Sequence, residues 1–428
     1  MIESLYKKFI EGTGVSTNTR NIQHGSIFFA LKGPNFNANN FARQALENGA
    51  SYAVVDEPEV IQGDRYILAD DVLTVLQDLA RFHRDHLSIP VIGLTGSNGK
   101  TTTKELINVV LSAKFNTYAT QGNLNNHIGV PLSVLSVKPE HEIAIIEMGA
   151  NHVGEIALLS SICKPDHGLI TNIGKAHLEG FGGIEGVIRG KSELYQHLIK
   201  VDGTVWINSN SRELSNMAKR FKNPLMYANK NDYYHCELLE AEPFLKIRTE
   251  EDEIIDSHLT GKYNFDNVAV ALAIGKFFRV DPKKSAKSIA RYKSDNMRSQ
   301  LVEKGSNQII LDAYNANPDS MKVAIENLAL QKAAKKVVIL GDMKELGSDS
   351  DLEHRRLGEQ LSKLKLDRIL LCGELVKPAL EMLKEAEYFP SRTALQEHLS
   401  NKPIQDSLIL IKASRSIGLE KVVDVLGG

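Results

Sequence analysis

The 428-residue chain is poor in cysteine, in net charge and in long apolar runs, and each scarcity removes a class of protein. Its three cysteines, Cys163, Cys236 and Cys372, are too few and too scattered for a disulfide framework or a metal cluster. All lie in or near apolar runs and read as buried, inert thiols. Lys and Arg total 51 against 53 Asp and Glu, a formal charge of −2, so no basic field argues for nucleic acid as a partner. No run of about eighteen apolar residues offers a membrane span. Met1 to Ile10 alternates apolar residues with Glu3, Lys7 and Lys8 and lacks the continuous apolar stretch of a signal peptide. Repeats and low-complexity segments are missing too. A globular composition remains, 42% hydrophobic and 24% charged, with the cytoplasm as the expected compartment. At this length about two to four domains are expected.

What is present centres on residues 92–103, Ile-Gly-Leu-Thr-Gly-Ser-Asn-Gly-Lys-Thr-Thr-Thr. The apolar run Ile89 to Leu94 predicts a buried strand, and Leu106, Ile107, Val110 and Leu111 predict the inner face of a following helix. Between them, glycines let backbone N–H groups approach phosphate oxygens, and the helix start adds its positive dipole end. Thr95, Gly96, Ser97, Asn98, Gly99, Lys100, Thr101 and Thr102 are therefore candidate nucleotide contacts, with Lys100 on the outer phosphates and the Thr101 hydroxyl on Mg²⁺. The loop is a variant, because Leu94 stands where the first glycine of G-x-x-x-x-G-K belongs. A glycine turn without a ligand is the bland alternative. The intact Gly-Lys-Thr favours ATP.

Around this loop the chain reads as α/β, three domains in series. Residues 1–88 form a small unit with strands near Ser26–Leu31 and Tyr52–Val55. Residues 89–293 alternate strands (Ile143–Met148, Gly168–Ile173, Thr204–Ile207) with helices, as a parallel sheet requires, and Asp232–Ser257 suggests an antiparallel extension. Residues 294–428, with strands near 308–311, 337–340, 368–371 and 408–411, read as a doubly wound, Rossmann-like domain.

Open parallel sheets bind ligands at their carboxyl edges, so polar strand ends come next. Glu147 ends one strand and can face a metal beside the phosphate loop; a solvated strand end is the alternative. His177 leaves the same edge and reads equally as structural or as a ligand. Lys191 shares a helical face with Ile184, Ile188, Tyr195 and Leu198, so it must snorkel, pair, or lose its charge by modification. Carbamylation would make it an oxygen donor suited to Mg²⁺. Asn125, Asn126 and His127, in a run that also holds Asn123, suit either turn chemistry or a polar substrate. Asn267 opens an Ala-rich helix, Arg298 sits at the junction with the last domain, and Asp312 ends a strand at 308–311.

Taken in order, these segments resemble the Mur ligases of peptidoglycan synthesis over nearly the whole chain: 95–102, Glu147-Met148-Gly149-Ala150, Asn172 to Glu179, Lys191-Ser192-Glu193, Asn264-x-x-Asn267, Asn296-Met297-Arg298, Asp312 to Pro318, Gly341 to Gly347 and Lys412-Ala413-Ser414-Arg415. Tyr-Asn-Ala-Asn-Pro and Gly-Asp-Met-x-Glu-Leu-Gly are most similar to the branch that adds a dipeptide. The resemblance implies an ATP-dependent amide ligase, expected to be a monomer, that joins D-alanyl-D-alanine to UDP-N-acetylmuramoyl-tripeptide through an acyl phosphate. The alternatives are a sister ligase adding a single amino acid and a nucleotide-gated binding protein without turnover. The resemblance further implies that Thr101 and Glu147 hold one Mg²⁺, and that His177 and carbamylated Lys191 hold a second. It places Asn267 at adenine, Arg298 and Asp312 at phosphate and ribose, and Asn315, Asn317 and Arg415 near the incoming amine. Uridine would fall to the first domain through Thr19 and Arg20. There the family's usual Asp-Ser/Thr-Arg is Asn18-Thr19-Arg20, and its Asp-Gly-His is Asn37-Ala38-Asn39.

Overall fold

Three main sheets succeed one another along the chain in the computed structural model, which describes residues 1–427, and a two-stranded hairpin, Lys32–Gly33 with Phe36–Asn37, sits beside the first. The first has four short parallel strands, with Ile27–Phe29 and Tyr52–Val55 at its centre and Val15–Ser16 and Tyr66–Leu68 outside them. The helix Val72–His86 closes this unit and packs its apolar face onward against the central domain.

The central sheet has nine strands. Val91–Thr95 lies third from one edge, paired in parallel with Ile143–Glu147 on one side and His167–Ile170 on the other. Every residue of Val91–Thr95 and Ile143–Glu147 is buried, which is why these strands read as unbroken apolar runs rather than alternating ones. The polar stretch 232–257 does form an antiparallel extension: Tyr234–Glu240, Lys246–Thr249 and Ile254–Asp256. Beneath the sheet the helix Lys100–Leu111 buries Leu106, Ile107, Val110 and Leu111 completely, against the Ala-rich helix Asn264–Phe277.

The last sheet has six strands in the order Gln300–Lys304, Asn307–Leu311, Leu408–Lys412, Lys336–Gly341, Arg368–Cys372 and Glu387–Phe389. All pairs are parallel except the first, a hairpin edge that periodicity did not reveal. The final strand returns between two earlier ones, so the carboxyl ends of Asn307–Leu311 and Leu408–Lys412 meet where the winding reverses, a place where such sheets bind ligands. The three cysteines are buried and unpaired, and burial pushes each thiol up to about 12. No helix among the described residues is long and apolar enough to cross a membrane.

Candidate active site between the central and last domains

A cavity of about 870 Å³ opens at the carboxyl edge of the central sheet, and the last domain forms its far wall. The phosphate loop makes its floor. Gly96 has φ +150° and Gly99 φ +77°, both in the left-handed half of conformational space where glycine is favoured. A Cβ on Gly96 would stand 1.9 Å from Thr171 Oγ1, so this turn admits no side chain. The loop is held from the neighbouring strand end. Asn98 N donates to Asn172 Oδ1 (2.9 Å), while Asn172 Nδ2 and Thr171 Oγ1 donate to the Asn98 carbonyl (2.9 and 2.6 Å). Lys100 folds back to donate to the Gly96 carbonyl at 2.7 Å. Desolvation lowers its pKa to about 8, opposed by the Glu147 charge and reinforced by Arg298. An anion entering the loop would raise it again by favouring the ammonium.

Glu147 is 1% exposed, a buried carboxylate that needs partners. Its Oε1 accepts from Thr101 Oγ1 (3.2 Å) and Asn125 Nδ2 (2.8 Å), and its Oε2 has no hydrogen-bond partner. An orphaned carboxylate oxygen beside a threonine hydroxyl, at the rim of a phosphate loop, is a donor set that fits Mg²⁺. Among the described residues no three His, Cys, Asp or Glu side chains converge. An ion here would draw its other oxygens from nucleotide and water.

Lys191 does not snorkel. It is 1% exposed on the helix Ile184–Lys200, its Nζ donates to the Ala150 carbonyl at 3.1 Å, and the ammonium sits 5.1 Å from the centre of the Phe181 ring. The expected apolar stripe is incomplete, since Ile184 at the helix start is exposed. Burial, with the Lys100 charge second, pushes the Lys191 pKa well below that of an ordinary lysine. Lys191 itself lies behind the cavity wall, which Ala150 lines. Two residues on, buried Glu193 accepts from Gly154 N and Ala157 N (2.6 and 2.8 Å) and so anchors the start of the helix Glu155–Cys163 and the loop that leads to it. His177 lines the cavity and pairs with Glu345 of the last domain, holding that carboxyl below its usual range.

The other expected residues divide by location. Ser97, Asn98, Gly99, Lys100, Thr102, Asn125, Asn126, His127, Asn267, Arg298, Asp312, Asn315 and Asn317 line the cavity. Thr95 lies at the strand end beneath it, with a buried, partnerless hydroxyl. Asn126 Oδ1 accepts from Gly129 N, so turn chemistry occupies part of that run. Asn267 accepts from Thr103 Oγ1 (3.0 Å) and packs against Gly99. Asn317 caps the helix Pro318–Leu330 and also donates from Nδ2 to Asn98 Oδ1 (2.8 Å), joining the last domain to the phosphate loop. Arg415 is not in the cavity wall; it stands 5.6 Å from the Tyr314 ring centre. Thr19 and Arg20 lie in the first domain, on a short turn away from this cavity. There Asn39 Nδ2 donates to Asp56 Oδ1 (2.7 Å) and Asn37 Nδ2 to Glu57 Oε1 (2.8 Å), while Lys32 pairs with both acids. The unusual Asn-Ala-Asn segment thus has a local structural use.

Sequence reasoning did not single out Asn172, Asp319 or Lys412. Asn172 and Lys412 lay within the recognised segments as strand-end residues, which was the available signal. Lys412 is buried and pairs with Asp312 Oδ2 at 2.6 Å, and Asp319 Oδ2 accepts from Lys175 N at 2.6 Å. Asp319, in the first turn of its helix, carried no signal.

Fold and site together define a phosphate-loop nucleotide-binding cleft whose second wall is a Rossmann-like domain. The Mur ligase middle domain family matches residues 94–275, and the Mur ligase glutamate ligase domain family matches residues 297–415. The UDP-N-acetylmuramoyl-tripeptide–D-alanyl-D-alanine ligase of Bacillus subtilis (strain 168) is 36% identical over 422 residues, 96% of this chain and 92% of the relative. A crystal structure of MurF from Acinetobacter baumannii superposes with a TM-score of 0.87 at 31% identity, covering 99% of this chain and 98% of that one. That of MurF from Thermotoga maritima in complex with ADP gives 0.83 at 29%, covering 97% of each. The chain belongs to the Mur ligase family, in its UDP-N-acetylmuramoyl-tripeptide–D-alanyl-D-alanine ligase branch.

Proposed function

We propose that this chain joins D-alanyl-D-alanine to UDP-N-acetylmuramoyl-tripeptide at the expense of ATP. The observation that carries the reading is the single cavity in which the phosphate loop and Glu147 face Arg298 and Asp312 of the last domain. A terminal carboxylate oxygen of the tripeptide attacks the γ-phosphorus, the bond to the bridging oxygen breaks, and ADP leaves. The dipeptide amine then attacks the acyl carbon and loses a proton, and the carbon–oxygen bond breaks to release phosphate. Lys100 and the loop N–H groups grip and orient the phosphates, which is most of what such a transfer asks of a protein. Thr101 and Glu147 would hold one Mg²⁺, and His177 with carbamylated Lys191 a second. Such ions neutralise phosphate charge and polarise the carboxylate. Carbamylation forms a bond from Lys191 Nζ to the carbon of CO₂ with loss of a proton, and the buried amine, held below its ordinary pKa, supports it.

Asn267 serves adenine, Asp312 the ribose, and Arg298 the phosphates; Asn315 and Asn317 lie on the side where the amine would enter. Thr19 and Arg20 serve the uridine end. The chain divides at 88/89 and 293/294, supported by the connections that follow the helices Val72–His86 and Pro282–Arg291. One chain supplies both cavity walls, which supports a monomer, and use of ATP with a UDP-linked precursor supports the cytoplasm. The test is phosphate release with UDP-N-acetylmuramoyl-tripeptide and a panel of acceptors. Turnover with D-alanyl-D-alanine is expected. Turnover with single amino acids alone would assign a sister activity, and ATP binding without product from any acceptor would leave a binding protein.

A further inference from the structure

Glu105 lies on the helix Lys100–Leu111 that starts at the phosphate loop, outside the lining of the cavity. It grips the segment connecting the central and last domains. Asn296 Nδ2 donates to both carboxylate oxygens (2.8 and 2.9 Å), and the Tyr292 hydroxyl donates to Oε2. The gripped segment carries Arg298. Met297 (φ +58°) and Ser299 (φ +50°), on either side of Arg298, are both in the left-handed region that non-glycine residues seldom occupy without compensating contacts. The compensation is visible. Ser294 Oγ donates to the Arg298 carbonyl (2.8 Å), Met297 N to Gln300 Oε1 (3.1 Å), and Ser299 N to Asp312 Oδ1 (3.3 Å). Arg298 is thereby aimed into the cavity, its guanidinium 4.0 Å from the centre of the Tyr314 ring and its buried Nε without a partner.

We infer that Glu105 is a positioning residue for the ligation: it ties the phosphate-loop helix to the interdomain connection and so sets where Arg298 stands. The helix that holds the phosphates and the strained segment that presents the arginine become one mechanical unit. This inference rests on the proposed ligase reading, and wild-type turnover with D-alanyl-D-alanine is measured first so that failure of that reading is seen separately.

The test is a cycle of E105A, R298A and the double variant, with kcat, KM for ATP and the affinity for a non-hydrolysable ATP analogue measured for each. Lost hydrogen bonds to a charged group are expected to lower kcat about 10- to 100-fold in E105A. Analogue affinity should fall no further in E105A than in R298A, because the loop contacts are intact and Glu105 acts only through Arg298. The double variant should be no slower than R298A within about twofold, since Glu105 acts through Arg298. E105Q keeps the volume and one acceptor oxygen and should recover most of kcat; N296A, which removes the amide donor from the other side of the same contact, carries the cycle with R298A if E105A unfolds. An unchanged kcat in E105A, or losses that simply multiply in the double variant, would overturn the inference.

Discussion

Lys191 shows how much a single side chain can demand of its surroundings. A lysine with 1% exposure that meets only one carbonyl and an aromatic ring is held toward its neutral amine, the form that takes up CO₂. K191A is expected to lower ligation by at least about 10²-fold, without rescue at high CO₂. The wild-type protein in ¹³C-bicarbonate should show a carbamate resonance that K191A lacks. A fully active K191A enzyme would remove the carbamate from the account. Gly96 makes the opposite demand, for empty space. G96A pushes a methyl against Thr171 Oγ1 and should weaken nucleotide binding by at least about tenfold in calorimetry. The residue identities were legible in the sequence where chemistry forces the choice: Gly-Lys-Thr in a loop, a carboxylate at a strand end, a lysine on an apolar face. Asn172 and Glu193 were not, because an amide or carboxylate whose task is to hold backbone N–H groups looks the same in sequence as a solvated one.

Among elements, the turn Gly341–Gly347 delivers Glu345 to His177, and a buried histidine holds it in place. His354 Nε2 accepts from Met343 N at 3.0 Å, and its Nδ1 donates to the Ser350 carbonyl at 2.8 Å, an arrangement that requires the neutral ring. Burial lowers its pKa below the ordinary 6.5. As pH falls through 6.5 the unfolded chain binds a proton that the folded chain refuses, so stability is present above that pH and declines below it. His83 and His167 are shifted the same way by burial and add to the slope. Urea denaturation between pH 7.5 and 5 should show the fall, and H354Q should lessen the slope by up to about 1.4 kcal/mol per pH unit. A pH-independent midpoint would contradict it. Long apolar strands and the 3.6-residue helix pattern were readable because burial on both faces leaves a strong signature. The edge strands Gln300–Lys304 and Glu387–Phe389 were not, because half-exposed edges carry mixed residues and take their pairing from neighbours distant in sequence.

At the scale of the whole molecule, the last domain meets the central one through polar contacts gathered around the site. Asn317 reaches Asn98, Asp319 reaches Lys175 N, Lys175 pairs with Glu353, and His177 pairs with Glu345. Polar ties of this kind, most of them partly buried along the cleft, fix orientation more than they add stability. D319A should therefore lower kcat about tenfold while shifting the melting temperature by only about 2–4 °C, read by turnover and calorimetry on the same sample. An unchanged kcat would show that the docking is incidental. The order of the domains could be read from the alternation of strands and helices. Their mutual placement could not, because it depends on single hydrogen bonds between residues more than 140 positions apart, and Asp319 or Glu353 read alone as solvated helix residues.

The central claim, that the cavity forms an acyl phosphate and passes it to an amine, is tested most directly by isotope transfer. UDP-N-acetylmuramoyl-tripeptide labelled with ¹⁸O in its terminal carboxylate is turned over with ATP and D-alanyl-D-alanine, and the inorganic phosphate and peptide product are weighed by mass spectrometry. One ¹⁸O atom is expected in each phosphate released, together with a product heavier by one D-alanyl-D-alanine less water. Unlabelled phosphate alongside that product would contradict the acyl-phosphate route, and labelled or unlabelled phosphate without it would contradict the ligase itself.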